Sequence, residues 1–127
     1  MSDTPQNTAV WFEIPVTDMA RARSFYEAVL KTELKEDDTG PNPMLMFPVA
    51  DSAVGVSGHI YPGTPASAGS GNTIHLAAPD AKVEDTLARV EPAGGKVLSP
   101  VIDIPAGRFA YCTDPDGNSI GLFTYGS

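Results

Sequence analysis

Cysteine is nearly absent from this sequence, and basic residues are scarce. Cys112 is the one cysteine among 127 residues, so no disulfide can form within the chain. Lysine and arginine together number 8 against 16 aspartates and glutamates, which gives a net charge of −8. Because a nucleic-acid footprint needs clustered basic side chains, we predict no nucleic-acid partner. No apolar run approaches the roughly 20 residues of a membrane helix, so we expect no membrane partner either.

Export signals are also lacking at the start of the sequence. The first ten residues, MSDTPQNTAV, contain neither a basic start nor an apolar stretch. The expected location is therefore the cytoplasm. Hydrophobic residues make up 42% of the chain, which is typical of an ordinary globular protein, and the length fits a single domain over residues 1–127.

The first half of the sequence predicts a strand, a helix and three further strands. AVWFEIPV, at 9–16, is rich in β-branched and aromatic residues, as strands are. The segment after it begins with the N-cap candidates Thr17 and Asp18. Its apolar side chains recur at helical spacing, on Ala22, Phe25, Tyr26 and Val29. ELKED, MLMFPVA and AVGVSGHIY predict three strands, the last two joined by a turn near Asp51 and Ser52.

The second half repeats this order after PGTPASAGSGN, residues 62–72, whose small and turn-forming residues predict a linker. A strand is predicted at TIHLAAP. A helix, capped by Asp80 and closed by Pro92, is predicted at DAKVEDTLARVEP, and a turn followed by one strand is predicted at GGKVLSPVIDI. GRFAYCTDPDGNSIGLFTY predicts a hairpin. The sequence thus predicts two modules, 9–61 and 73–125, and an offset of 62 residues superposes Glu13 on His75.

The hairpin contains a glycine inside a predicted strand, which is an unusual position for this residue. Gly121 lies within its second strand, where a missing side chain marks either a bulge, a close approach of strands or room for a ligand. Symmetric pairing about the Asp-Pro-Asp-Gly turn would place Ala110 opposite Gly121 and put Arg108 on the same face as Phe123. Arg108 is then either a surface residue or a group that holds a carboxylate or phosphate of a ligand.

The tandem βαβββ pattern resembles the vicinal oxygen chelate superfamily, which includes glyoxalase, bleomycin resistance proteins and extradiol dioxygenases. The resemblance rests on FEIPVTDMARARSFYEAVL in the first copy and on AGGKV and DPDGNSIGLF in the second. Among its members, the chain looks most like glyoxalase-related bacterial proteins. The resemblance implies an α+β fold in which two curled mixed sheets surround a shared cavity. It also implies a homodimer, because family members commonly assemble as dimers.

The family's metalloenzymes bind a divalent metal through the first and last strands of each module. The resemblance places these ligand positions at Trp11 and Gly55 in the first module and at His75 and Gly121 in the second. Both last-strand carboxylates are therefore replaced by glycine. Since a metal usually needs three or four protein ligands, we predict no metal and no other cofactor.

Three titratable residues keep a catalytic alternative open. Glu13 lies two residues beyond Trp11, on the same strand face, and could form an acid and base pair with His75. An unorthodox metal set of Glu13, His75 and His59 is the other form of this alternative. Otherwise His75 is a structural histidine, and His59 is predicted to contact solvent. Cys112 has no adjacent base in the sequence, which argues against a nucleophile.

Three functions follow from these residues. The first is a cavity protein that binds a small, partly apolar molecule without the family's metal, with ligand contacts from Trp11, Gly55, Arg108, Gly121 and Phe123. The second is a lyase, isomerase or dioxygenase of the glyoxalase-related type that uses Glu13 and His75. The third is an interaction module whose cavity is filled by Trp11, Met46, Phe47 and Phe123.

Overall fold

Two β-sheets and two helices make up the fold in the computed structural model, which describes residues 5–40, 42–51 and 55–126. The elements of the first half are β1 (Trp11–Val16), α1 (Met19–Leu30), β2 (Lys35–Asp37), β3 (Met44–Met46) and β4 (Ser57–Pro62). Those of the second half are β5 (Ile74–Ala77), α2 (Val83–Leu87), β6 (Lys96–Val97), β7 (Ile102–Ile104), β8 (Gly107–Thr113) and β9 (Ser119–Tyr125). The predicted α+β class is confirmed.

Each half forms an open mixed sheet in which the first and last strands are parallel neighbours. The first sheet has the order β1-β4-β3-β2, with β1 and β4 parallel and the other pairs antiparallel. The second has the order β5-β9-β8-β6, and β7 pairs with the other end of the same β8 edge. Neither sheet closes into a barrel across the residues described.

Helix α1 forms as the sequence predicts. The Asp18 carboxylate accepts a hydrogen bond from the backbone N–H of Arg21 at 3.0 Å, and this caps the first turn. The four apolar residues at helical spacing are all fully buried. The helix ends at Lys31, which adopts the left-handed conformation with φ 52°. Neither described helix is long and apolar enough to cross a bilayer.

One hydrophobic core joins the two halves. It contains Ile14, Val16, Phe25, Tyr26 and Val29 from the first half and Leu76, Val90, Cys112, Ile120 and Leu122 from the second. The buried hydroxyl of Tyr26 donates to Asp114 at 2.7 Å, and loss of hydration together with that carboxylate raises the pKa of Tyr26 well above its usual value. Burial raises the pKa of the Cys112 thiol to about 11, so it is not a thiolate at neutral pH.

Several predicted boundaries in the second half are wrong. Helix α2 is shorter than predicted and begins after Lys82, because the Asp80 carboxylate bonds to Lys31, Thr86 and Arg89 instead of capping the backbone. Those hydrogen bonds, that from Lys31 first, hold the pKa of Asp80 well below its usual value. The single strand predicted over 94–104 is two strands, β6 and β7, separated at Pro100, which has no N–H to donate.

In the first half both ends of β4 differ from the prediction. Strand β4 runs to Pro62, the first residue of the predicted linker, and begins only at Ser57, well inside the predicted strand AVGVSGHIY. Of the turn predicted near Asp51 and Ser52, Ser52 lies outside the described residues.

The hairpin register also differs from the prediction by one residue. Tyr111 lies opposite Gly121, and Phe109 lies opposite Phe123. The loop contains five residues, from Asp114 to Asn118, because the Asp114 carboxylate accepts the backbone N–H groups of Asp116 and Asn118, each at 2.9 Å. With an odd number of residues in the loop, Arg108 lies opposite Thr124 and on the other face from Phe123.

Candidate functional site

The parallel strand pairs place four residues at equivalent positions in the two halves. In the first sheet Glu13 on β1 lies beside His59 on β4. In the second sheet His75 on β5 lies beside Gly121 on β9. The offset of 62 residues relates both members of each pair. These positions define the candidate site.

In the first sheet the two side chains form a hydrogen-bonded pair. His59 Nε2 lies 3.1 Å from Glu13 Oε1, a geometry in which the imidazole N–H donates to the carboxylate. The His59 side chain is 6% exposed, whereas that of Glu13 is 58% exposed. The prediction that His59 contacts solvent is wrong, because β4 places it in mid-strand beside Glu13. The arrangement holds an accessible carboxylate in place with a buried imidazole.

In the second sheet the imidazole lies over bare backbone. A Cβ atom added at Gly121 would overlap the ring of His75, so only glycine leaves space for this ring position. The His75 ring meets Phe109 edge-on with centroids 5.2 Å apart and meets Tyr111 at 5.7 Å. His75 therefore packs among aromatic rings, and the structure pairs Glu13 with His59 rather than with His75.

Gly55 does not occupy the position predicted for it. It precedes β4 in the chain, and the first-half equivalent of Gly121 is His59. A Cβ at Gly55 would overlap the side chain of Val49 and the carbonyl of Asp51. This glycine therefore allows a close approach within the loop between β3 and β4.

Arg108 is held by carboxylates. Its guanidinium lies 2.8 Å from Asp103 and 2.9 Å from Glu84, near α2. These hydrogen bonds raise the pKa of Arg108 above its ordinary value. Because Arg108 and Phe123 lie on opposite faces of the second sheet, the structure does not bring these two predicted ligand contacts together.

A set of rings covers the face of the second sheet that carries His75. We call this the aromatic face; its members are His75, Phe109, Tyr111, Phe123 and Tyr125. Successive rings meet with centroids 4.8 to 6.5 Å apart. Tyr111 is 37% exposed and Tyr125 is 83% exposed. The sequence predicts His75 and Phe123 as site residues but not Phe109, Tyr111 or Tyr125, because the hairpin register decides which residues share a face.

An open cavity of about 650 Å³ lies where the first sheet meets the second, and we call it the cleft. Trp11 and Glu13 of β1 line one side, and Thr73 and Ser119 line the other. Trp11 is 64% exposed, so it is a wall residue and not a core aromatic. Since side chains alternate along a strand, Thr73 and Ser119 lie on the same face as His75 and Gly121. The cleft thus shares this side of the second sheet with the aromatic face, although none of the five aromatic-face residues lines it.

The donor set does not fit the divalent metal that the resemblance implies. Among residues 5–40, 42–51 and 55–126, no three His, Cys, Asp or Glu side chains converge where they could hold an ion. Glu13 and His59 supply two donors, and Gly121 offers His75 no carboxylate. A protein metal site normally needs three or four such ligands.

Residues 8–122 match the model of the Glyoxalase/Bleomycin resistance protein/Dioxygenase superfamily, and the chain belongs to that superfamily. A Mycobacterium tuberculosis protein named "Putative glyoxylase CFP32" is 29% identical over 125 residues, which is 96% of this chain and 47% of the relative. The Mycobacterium bovis protein of the same name matches equally well. The chain spans about half the length of these curated relatives, at 47%.

Solved structures share the fold. A glyoxalase/bleomycin resistance protein from Albidiferax ferrireducens T118 superposes with a TM-score of 0.71 at 22% identity, covering 94% of this chain and 100% of that one. TnmS3, an antibiotic binding protein from Streptomyces sp. CB03234, superposes with a TM-score of 0.65 at 27% identity, covering 94% and 97%. The first likeness concerns the fold alone.

Proposed function

We propose that this chain binds a small, partly apolar organic molecule and that it does so without a divalent metal. The observation that carries the proposal is the open cleft of about 650 Å³, which is lined by the exposed Trp11 and lies on the same side of the second sheet as the aromatic face. Ligand pockets typically enclose about 300–1,000 Å³ and combine apolar walls with a few polar groups. The exposed ring of Tyr111, which lies opposite Gly121, offers a surface for stacking an unsaturated ligand.

Two further observations support this function. The Streptomyces protein described as antibiotic binding is 27% identical and covers nearly the same length. The described residues also lack a three-donor cluster, which is why we propose binding without the family's metal. We further propose that neither nucleic acid nor membrane is a partner.

The test is a titration followed through Trp11, the single tryptophan of the chain and a wall of the cleft. Bleomycin and a panel of polycyclic aromatic antibiotics would be added to protein purified without chelator. Separately, native mass spectrometry and elemental analysis of the same protein would identify co-purified molecules and metals. We expect saturable fluorescence changes, and about tenfold weaker binding in Tyr111→Ala.

The matched control is Val49→Ala, a 39% exposed apolar residue of the β3–β4 loop that lies in neither the cleft nor the aromatic face. It should bind as the parent does. Failure of every compound to bind would contradict the proposed function. Stoichiometric metal that disappears in His75→Ala would contradict the metal-free part of it.

A second candidate function is acid–base catalysis of the glyoxalase-related type. The observation in its favour is the Glu13 carboxylate, which lines the cleft and is oriented by His59. Turnover of the methylglyoxal–glutathione hemithioacetal that is lost in Glu13→Gln would establish it. Absence of turnover in the parent protein would remove this candidate and leave the binding function.

We also propose that the chain forms a homodimer in the cytoplasm. Tyr125 and Ile104 leave apolar surface exposed on the second half, at 83% and 43%, and a second copy would cover such surface. A buried cysteine without a disulfide partner suits a reducing compartment. Analytical ultracentrifugation should give twice the chain mass, and a monomer at micromolar concentration would contradict the assembly.

A further inference from the structure

The cleft contains a single ionised side chain among the described residues that line it. That side chain is Glu13, and no lysine or arginine lines the cleft. Glu13 Oε1 accepts the hydrogen bond of His59, while Oε2 accepts none from any residue in the described ranges. With 58% of the side chain exposed, this second oxygen is available to a molecule in the cleft.

The groups around Glu13 suit a positive charge. Trp11 lies two residues earlier on the same face of β1, is 64% exposed, and presents an indole ring, which attracts cations through its π face. Across the cleft the hydroxyls of Thr73 and Ser119 lie 2.6 Å apart in a neutral hydrogen-bonded pair. Nothing among these groups would neutralise an anionic ligand.

We infer that the ligand of the cleft is an organic cation, an amine or amidine joined to an apolar ring system, and that Glu13 pairs with its charge. This inference rests on the proposed binding function and adds the class of ligand. The remainder of the chain acts in the same direction, since its net charge of −8 draws cations toward the protein. The apolar part of the ligand would extend toward the aromatic face.

The experiment compares three probes that share a skeleton and differ in charge: 4-phenylbutylamine, 4-phenylbutanol and 4-phenylbutanoate. Amide spectra of the ¹⁵N-labelled protein would follow the Trp11 indole N–H and the backbone N–H groups of Thr73 and Ser119. We expect the amine to shift these signals with a Kd about tenfold below that of the alcohol, and the carboxylate to shift them least.

Glu13→Gln tests the residue itself. The amide oxygen can still accept the His59 hydrogen bond, so the variant removes the charge and retains the shape. We expect its affinity for the amine to fall about tenfold, to that for the alcohol. The matched control is Glu91→Gln, which makes the same change in net charge at an exposed residue outside the cleft, and it should retain the preference for the amine.

The outcomes separate this inference from the function on which it rests. Equal affinity for amine and alcohol in the parent protein would overturn the inference while binding in the cleft stands. A preference that survives in Glu13→Gln or disappears in Glu91→Gln would overturn the role of Glu13. Absence of binding by the three probes and also by the antibiotic panel would be failure of the proposed function itself.

Discussion

The two halves of the molecule use the same strand pair in different ways. On the first sheet the paired positions carry Glu13 and His59, which hydrogen-bond to each other. On the second they carry His75 and Gly121, and the imidazole lies over the glycine among aromatic rings. The repeat therefore preserves the register of the strands and not the chemistry at those positions.

The difference shows how one fold provides both a polar and an apolar wall. A buried imidazole needs a hydrogen-bonding partner, and Glu13 provides one for His59. The exposed imidazole of His75 does not need such a partner within the protein. It needs room beside the neighbouring strand, and Gly121 provides that room. Three sets of variants test this contrast between the halves, and for each the free energy of unfolding is measured by urea denaturation.

The largest effect is expected from Asp114→Ala. The Asp114 carboxylate is 2% exposed and accepts hydrogen bonds from Asp116, Tyr26 and twice from Asn118, and so fixes the register that places Gly121 beneath His75. We expect the free energy of unfolding to fall by about 3–4 kcal/mol.

The control for this variant is Asp103→Ala, which removes a 74% exposed carboxylate that pairs with Arg108. It should cost less than about 0.5 kcal/mol. If both variants lose the same stability, the loop of the second half does not depend on Asp114 as the geometry indicates.

An intermediate effect is expected from Gly121→Ala. The added methyl overlaps the His75 ring, so we expect a loss of about 2 kcal/mol. In a His75→Ala background the same change should cost far less, because the ring is gone, and a double-mutant cycle measures this coupling. A cost that is the same in both backgrounds would mean that the glycine serves the backbone and not His75.

The smallest effects come from the histidines themselves. His59→Ala removes a buried ring and its bond to Glu13, and should cost about 1–2 kcal/mol. His75→Ala removes an exposed ring and should cost less than about 0.5 kcal/mol. His59→Gln can still donate to Glu13 and should recover part of the loss. The reverse order of the two alanine variants would contradict the contrast between the halves.

The sequence predicts local features of this fold better than the pairing between strands. Helix α1 follows from its cap and apolar spacing, and both first strands follow from composition. The start of β4 could not be predicted in the same way. Matching AVGV of the first module to SIGL of the second predicts Gly55 at the position where the structure has His59. The hairpin register depends on the hydrogen bonds of Asp114. Those from Asp116 and Asn118 lie within its own loop, but the one from Tyr26 of α1 joins residues 88 positions apart, which no local pattern contains.

The contacts between the two halves also determine how readily two copies of this chain could exchange halves. Helix α1 of the first half lies in the shared core, and Arg89 of the second half donates to the carbonyls of Ala28 and Val29 near the end of that helix. To exchange halves, a chain must break this core and every bond across it. The rate of exchange is therefore set by global unfolding, and whichever arrangement forms during folding persists for the lifetime of the native state.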